Sequence, residues 1–453
     1  MFNLRFLDRN EYLLRKHTLE HKGDFLFLHE KISAKKTFYR ENIEVFFILV
    51  TILAGACLAL VLYAGIAALW VAIFSAALLF YFTSLIFKAY LTIVSIVKRP
   101  PSPTHEEIYK MRDEDLPPYT VLVPMYKEGE VLKNFVSHFQ SIDYPKDKLD
   151  VRLLLEEDDA ETIKIAESIC LKAPFSMVVI PRVGPRTKPK ALNVGIIDSE
   201  SEILTVYDAE DRPEKDQLKK VAWAFKNLPQ NIVCVQAKLT FYNAKQNILT
   251  KWFAAEYYSW FNHFLPALYY LSFPIPLGGT SNHFKTSVLK EIGAWDPYNV
   301  TEDADLGIRI SRLGYRISMI NTSSWQRAVA GSTNRSPIAV IDSSTLEEAN
   351  SMFSNWFRQR TRWLKGYIQT VIVHLRYPRN AFLDLSGKGF FSFIFFVLGT
   401  PLAHLLNLVF WVITIFWLFD MYSLPAGIPE ALLLAGFISL VLGNALFVLL
   451  HAV

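Results

Sequence analysis

Ile203-Leu-Thr-Val-Tyr-Asp-Ala-Glu-Asp211 is a short apolar run rich in β-forming residues that ends abruptly in three carboxylates, Asp208, Glu210 and Asp211. A buried strand that finishes in acids delivers them to the rim of a sheet, where open α/β folds keep their ligands. Two carboxylates one residue apart at such a rim suit a hard divalent cation. Mg2+ or Mn2+ takes one or two protein oxygens and fills the rest of its shell with water and substrate phosphate. The plainer reading is a polar strand end turning into a helix, with Asp211 and Pro213 as start signals. The surrounding sequence decides between the two.

Upstream, Tyr119 to Pro124 reads as a buried strand, and Asp150 to Leu155 and Ser176 to Ile180 read as further strands. Helical patterns at Glu128 to Ser141 and Ala160 to Leu171 separate them, and a helix from Pro213 to Asn227 leads to a strand at Ile232 to Tyr242. Strands alternating with helices at this spacing predict a mainly parallel sheet covered on both faces. Four strands end in polar residues (Tyr126-Lys-Glu128, Glu156-Glu-Asp-Asp159, Pro181-Arg182 and the central acids), and these ends should converge on one crevice. No Gly-x-Gly-x-x-Gly follows the first strand and no phosphate-loop Lys-Ser/Thr occurs, which argues against a dinucleotide or P-loop site.

The chain has 453 residues, and 52% of them are hydrophobic, too many for an ordinary soluble enzyme of this length. The excess is concentrated. No charged residue occurs from Val45 to Phe87 or from Gly389 to Phe419, and Ala431 to Val453 is a further apolar run. The first run is long enough for two spans at roughly 20 residues each, turning near Gly65. Lys35, Lys36, Arg40, Lys88, Lys98, Arg99 and Lys388 flank the spans, whereas Asp420 to Glu430 holds no Lys or Arg. That bias places the N-terminal arm and the central domain in the cytoplasm. The net charge of +4 largely reflects these flanks, and no basic stripe suggests a nucleic-acid partner. Cys57, Cys170 and Cys234 have neither metal nor disulfide spacing.

The division expected is a cytoplasmic arm at 1–41, which reads as a tether or, as the alternative, a segment lying on the membrane surface, two transmembrane helices at 42–98 and a catalytic domain at 99–350. Interfacial helices at 351–388 and about two further transmembrane helices at 389–453 follow. Arg99-Pro-Pro-Ser-Pro is a stiff linker. Leu249 to Leu277 reads as an amphipathic helix pair, because Lys251, Glu256 and His263 rule against a span. Asn321 to Asn350, rich in Ser, Thr and Asn, reads as a long loop, a candidate gate.

Val121-Leu-Val-Pro-Met-Tyr-Lys-Glu128, Glu156-Glu157, Lys188-Pro-Lys-Ala-Leu-Asn193, Asp208-Ala-Glu210, Gly278-Gly-Thr-Ser-Asn282, Thr301-Glu-Asp303 and Gln359-Arg-Thr-Arg-Trp363 occur in this order. Each motif alone is weak. In this order, between flanking spans, they resemble the membrane-integrated glycosyltransferases of family 2, which include cellulose, hyaluronan, chitin and β-mannan synthases. The resemblance covers Pro118 to the end of the chain. It implies an α/β fold, a GT-A-type (Rossmann-like) mixed-sheet domain inserted between transmembrane α-helices, and a bacterial-type inner or plasma membrane location.

The resemblance also assigns residues. Pro124, Tyr126, Glu128, Glu157, Lys188, Lys190 and Asp208 would bind the nucleotide-sugar, with Glu157 reading the base and the lysines on phosphate. Glu156-Glu157-Asp158 stands where most members have Asp-Asp-Gly. Asp208 and Glu210 would hold Mg2+ or Mn2+; Glu replaces the usual Asp, so Asp211 remains an alternative ligand. Glu302 and Asp303 would be catalytic, Asp303 as general base, although acids in the first turn of a helix are also what its dipole favours. Gln359 would add neutral hydrogen bonds, Arg362 a fork for departing phosphate, and Trp363 a flat face for a sugar ring, although the same residues also suit an interfacial belt. Gly279, Thr280, Asn282 and Trp363 would line the acceptor site.

The implied activity is inverting polymerisation of a β-linked polysaccharide, β-glucan first, from UDP-glucose, with coupled translocation. GDP-mannose is the competing donor, and transfer of one sugar to a membrane lipid is the non-polymerising alternative. A transporter or scaffold that only binds nucleotide-sugar is the reading from another class. Two spans on each side make a thin channel, and the chain stops at Val453 inside an apolar run. The expectation is a truncated or unusually short synthase, completed by an oligomer or an accessory export subunit.

Overall fold

The computed structural model describes residues 40–98, 103, 105–169, 173–182, 184–320, 344–419 and 429–452. The N-terminal arm, the linker from Arg99 to Ser102, Cys170, most of the Ser/Thr/Asn-rich loop (321–343) and the connection 420–428 lie outside the described residues.

The chain is helical from Arg40 to Val97 (α1), interrupted at Gly65, whose φ of 82° and ψ of 166° no helix permits. The break coincides with the turn expected there. The domain then runs β1 (Tyr119–Met125), α2 (Gly129–Gln140), β2 (Leu149–Glu156), α3 (Ala160–Ser168), β3 (Phe175–Ile180), α4 (Lys188–Ile196) and β4 (Ile203–Val206). There follow β5 (Arg212–Pro213), α5 (Gln217–Asn227), β6 (Ile232–Gln236), β7 (Lys238–Phe241), α6 (Ile248–Ser259) and α7 (Leu265–Leu271). Next are β8 (Asn282–Lys285), α8 (Thr286–Glu291), α9 (Glu302–Arg312), β9 (Arg316–Met319) and β10 (Ser344–Glu347). Four helices close the chain: α10 (Phe353–His374), α11 (Pro378–Phe393), α12 (Gly399–Leu418) and α13 (Glu430–Ala452).

Seven strands form one mixed sheet in the order β3-β2-β1-β4-β8-β6-β9. β1 pairs in parallel with both β2 and β4, while β8 runs antiparallel between β4 and β6. The strand sequence leaves β1 on one side toward β2 and returns on the other side at β4. The carboxyl ends of β1 and β4 therefore flank the point where strand order reverses, where such sheets bind ligands. β1 is buried along almost all its length because both faces are covered: Val121 and Val123 pack with Phe135 and Phe139 of α2, and Leu122 packs with Leu192 of α4. Burying each such side chain contributes about 1.5–3 kcal/mol.

Three of the expected elements take another form, and β8 and β9 were not among those expected. The strand expected over Ile232 to Tyr242 is two, because the Ala237 N–H bonds the Ser281 carbonyl (2.9 Å) and directs the chain into a second, three-stranded sheet of order β5-β10-β7. Pro213 belongs to β5, so the helix after the acids starts only at Gln217. Residues 344–347 of the expected loop form β10, pairing antiparallel with β5 and parallel with β7.

Thr51–Val97 and Pro378–Leu418 are long and apolar enough to cross a membrane, and Glu430–Gly443, the first part of α13, is apolar as well. α1 leaves Leu53, Leu62 and Ile66 more than half exposed, a surface suited to lipid rather than water. It packs on α12 through Phe74 and Phe410, with ring centroids 5.4 Å apart.

Candidate active site

The strand ends build the first half of the site. After β1, Lys127 adopts φ 58°, held by its N–H bond to Asp159 Oδ2 (2.5 Å), and this turns Tyr126 and Glu128 out over the rim. After β4, the Asp208 N–H bonds Asp211 Oδ2 (2.7 Å), a tight turn that presents Asp208 and Glu210 outward and buries Asp211. Antiparallel β8 starts where β4 ends, so Gly278 to Ser281 lie along the same rim. Gln236 fixes that segment, accepting from the Gly278 N–H (2.9 Å) and donating to the Thr280 carbonyl (2.9 Å). Thr280 bonds Val206 O (3.1 Å) and Asp211, and Asn282 donates to Gly278 O (2.6 Å). Thr280 and Asn282 are thus buried supports of the rim, and Gly279 is the member that faces the acids.

Lys188, at the start of α4, bonds Asp208 and the Gly279 carbonyl (2.9 Å). Burial opposes its charge, but Asp208, Glu302 and Asp211 outweigh it and raise its pKa. Lys190 stands differently from the phosphate contact expected. It is fully buried, bonded to Glu156 (2.8 Å) and the Pro181 carbonyl (3.2 Å), so it neutralises the end of β2 and presents no ammonium to a ligand. Glu157 is exposed and accepts the Arg182 N–H (3.0 Å), and Asp158 pairs with Arg186 (2.8 Å).

Carboxylates outnumber cations at this rim. Desolvation, then Asp208 and Glu210, push Glu128 up to about 7; desolvation, then Asp208 and Glu348, do the same to Glu210. Burial, then Asp208, raise Asp211, and burial, then Asp211, raise Glu347 on β10. Motif reading missed Glu347; it belongs to the stretch read as a loop. Among the described residues no group of three His, Cys, Asp or Glu side chains is arranged to hold a metal ion. The donor set nevertheless fits a hard cation: Asp208 and Glu210 lie at the rim, and Asp211 Oδ1 is buried without a hydrogen-bond partner.

α9 and α10 build the second half. Asn193 of α4 clips the Trp295 backbone (2.8 and 3.1 Å), which fixes the Trp295-Asp-Pro turn leading to Thr301. Thr301 caps α9 by position only; its side chain makes no cap hydrogen bond. The first turn carries Glu302 and Asp303. A Cβ added at Gly279 would lie 3.4 Å from Asp303 Oδ2, which puts that carboxylate beside the rim. Burial raises Asp303 to about 6 against the pull of Lys188 and Arg362, and burial together with Asp303 raises Glu302.

Gln359, Arg362 and Trp363 share one face of α10. Trp363 stacks near Tyr257 and Phe253 of α6, with centroids 6.3 and 5.9 Å away. Arg360, between the motif residues, lies 4.6 Å over the Trp363 ring and forks onto Glu256 (2.5 Å to each oxygen), locking α10 to α6. Arg360 lies inside the quoted motif and Glu256 is the lone acid of an aromatic-rich stretch, but the sequence assigned neither a place in the site. Gln359 Oε1 is buried with no partner.

The arrangement therefore holds a lysine between an acidic rim and the acid pair of buried Glu302 and half-buried Asp303, with an arginine and an aromatic platform beyond. The family profile described as Glycosyltransferase like family 2 matches residues 117–366, more than half of the chain. The chain belongs to this family. It is a glycosyltransferase, and its fold is the GT-A-type α/β domain expected. Among curated relatives, the probable glycosyltransferase YdaM of Bacillus subtilis is 26% identical over 65% of this chain and 67% of its own length. The probable glucomannan 4-beta-mannosyltransferase 11 of Arabidopsis thaliana is 23% identical over 68% of this chain and 66% of its own. The chain thus spans about two-thirds of these relatives, and only 41% of the rice probable glucomannan 4-beta-mannosyltransferase 7. Among solved structures, the mannosyltransferase PcManGT from Pyrobaculum calidifontis, in complex with GDP-Man and Mn2+, covers 84% of this chain and 97% of its own at 17% identity and a TM-score of 0.49.

Proposed function

We propose that this glycosyltransferase works from the cytoplasmic face of a membrane, moving a hexosyl group from a nucleotide-sugar onto a growing β-linked polysaccharide with inversion. The observation that carries the reading is Lys188, which bonds Asp208 and the Gly279 carbonyl while Asp303 sits beside Gly279. One cation thereby joins the donor rim to the acceptor side. In this reading Tyr126, Glu128 and Glu157 flank the nucleoside and Lys188 faces the diphosphate. Asp208 and Glu210 would hold Mg2+ or Mn2+, which when bound supplies charge neutralisation to the diphosphate.

Asp303 takes the proton of the acceptor hydroxyl, whose oxygen attacks the anomeric carbon. The bond to the phosphate oxygen breaks from the opposite face, and the electron pair leaves with the nucleoside diphosphate. Arg362 and Lys188 stabilise that charge. Trp363 carries the sugar ring of the acceptor. α1 and α11 to α13 anchor the domain and line the exit of the product, with a second copy or an export subunit completing the passage.

The donor follows from two lines that differ. The motifs pointed to UDP-glucose and a β-glucan; relatives named as mannosyltransferases support GDP-mannose and a β-mannan, which we place first. Purified protein offered radiolabelled GDP-mannose, UDP-glucose and UDP-N-acetylglucosamine, with Mn2+ or with chelator, tests this. Metal-dependent label in a large, β-mannanase-sensitive product is the expected result. Label confined to extractable lipid would replace polymerisation by single transfer, and turnover of UDP-glucose alone would restore the β-glucan.

A further inference from the structure

Behind the catalytic acids, the far end of α9 is built from buried charge that the chemistry above does not use. Asp305, Arg309, Arg312 and His374 are each at least nine-tenths buried. Arg309 donates to Asp305 Oδ2 (3.3 Å), and His374 on α10 meets Asp305 Oδ1 through Nε2 (3.1 Å). Arg312 Nη1 faces His374 Nδ1 (3.2 Å), and its Nε and Nη2 both donate to Asp384 Oδ2 of α11 (3.0 and 2.8 Å). The partners assign the imidazole: arginine only donates and a carboxylate only accepts, so Nε2 carries the proton and Nδ1 is bare. Every link is thus directional, and three helices share one chain of hydrogen bonds.

The near end is also fixed by contact. A Cβ on Gly366 of α10 would lie 2.4 to 2.8 Å from the side chain of Thr301, and one on Gly307 would lie 2.1 Å from the Ile275 carbonyl. α9 is therefore a short rod held at both ends. Asp303 and Arg312 stand about 14 Å apart along it at 1.5 Å per residue. A burial cost of this size is hard to explain by stability alone, since a buried ion pair is often no better than apolar packing. What the network supplies is a single allowed register.

We propose that Arg312 is a positioning residue: by tying α9 to His374 of α10 and Asp384 of α11, it sets where Asp303 stands relative to Gln359, Arg362 and Trp363. The placement of the base then depends on the first segment of α11, which ends at a break at Ser386 (φ 60°, ψ 164°) just ahead of the apolar stretch that runs to Leu418. The kinetic arm of the test rests on the proposed chemistry, and the structural arm does not.

Arg312→Lys keeps the charge and loses the fork; Asp384→Asn keeps the shape and loses the acceptor charge. Each is compared with the wild type for kcat, donor KM, detergent-phase melting and amide hydrogen exchange. The expected result is kcat down about tenfold to a hundredfold with donor KM within about twofold, as for misplacement of a catalytic group. Exchange should rise together in peptides 301–305 and 359–366 and stay unchanged in β1 and β4, with the larger effect in Arg312→Lys. Should the wild type transfer none of the sugars offered, the polysaccharide reading fails, and the exchange pattern alone still decides the positioning role. Exchange that rises only around 374–384, or kcat and KM that worsen in step with melting temperature, would overturn it.

Discussion

The acidic rim at the end of β4 and the corner where α9 meets α10 carry the same kind of charge but hold it in different ways. At the rim, Asp208, Glu210 and Asp211 come from one turn of chain, and the turn itself sets their geometry through the Asp208 N–H bond to Asp211. At the corner, Glu302 and Asp303 are placed by distant partners: the Gly366 contact, the His374 and Asp384 links, and the Trp295 turn clipped by Asn193. The rim is crowded with acids and suited to an incoming cation and phosphate. The corner is closed, and its acids are raised by burial first. Local sequence can set the geometry of the rim acids, whereas the position of the corner acids needs the tertiary structure.

Removing the proposed acceptor of the proton should have the largest effect. Asp303→Asn is expected to lower kcat by about 10²–10⁴-fold, the range of a lost general base, while donor affinity by calorimetry stays within about threefold. A parallel loss of donor binding would merge the corner with the rim and break the contrast. Asp208→Asn comes next and should act on the other half. Donor binding should weaken and lose its dependence on Mn2+ or Mg2+, with kcat/KM down about 10²-fold. Unchanged metal dependence would remove Asp208 from the ligand set.

Much of this was legible in the sequence, for a physical reason. β1, β2 and β4 are parallel strands buried along most or all of their length and β3 is their half-exposed parallel edge, so they read as short apolar runs, and the ends of β1, β2 and β4 carry the acids that motif reading found. β8 and β9 were not seen. Asn282-His-Phe-Lys285 is too polar to read as a central strand, yet its His283 is fully buried against the Tyr119 hydroxyl (2.5 Å). The resemblance implied a phosphate contact at Lys190, but α4 turns it inward to Glu156. Glu347, Glu256 and Arg360 owe their places to long-range pairing, which no local pattern encodes.

The two lysines of α4 sharpen that point. Lys190→Met would leave Glu156 in the interior without its partner, and should cost about 3–5 kcal/mol of stability, read as a fall in melting temperature. Lys188→Met, with a side chain about a quarter exposed at the rim, should leave the melting temperature nearly unchanged and lower kcat/KM. Equal melting temperatures for the two variants would contradict the burial assigned to Lys190.

The smallest effect needs no substitution. Asp303 can accept a proton only when ionised, and burial raises it to about 6, well above the ordinary range near 4. Glu302 beside it is raised as well, by burial and by the charge of Asp303, so the pair keeps one proton through neutrality and yields it as the solution turns alkaline. At saturating metal, kcat/KM should therefore hold level above the range of Asp303 and fall about tenfold per unit once pH drops below about 6. Arg362 holds Asp303 down, so Arg362→Ala should move that acid limb to higher pH in addition to lowering the rate. The acid pair at the corner and the carboxylates at the rim can be separated by comparing that profile with one at limiting metal. A limb set by Asp303 stays in place, because the acid lies outside the proposed ligand set, whereas a limb set by Glu210 or Glu128 moves to lower pH as the cation favours their charged forms.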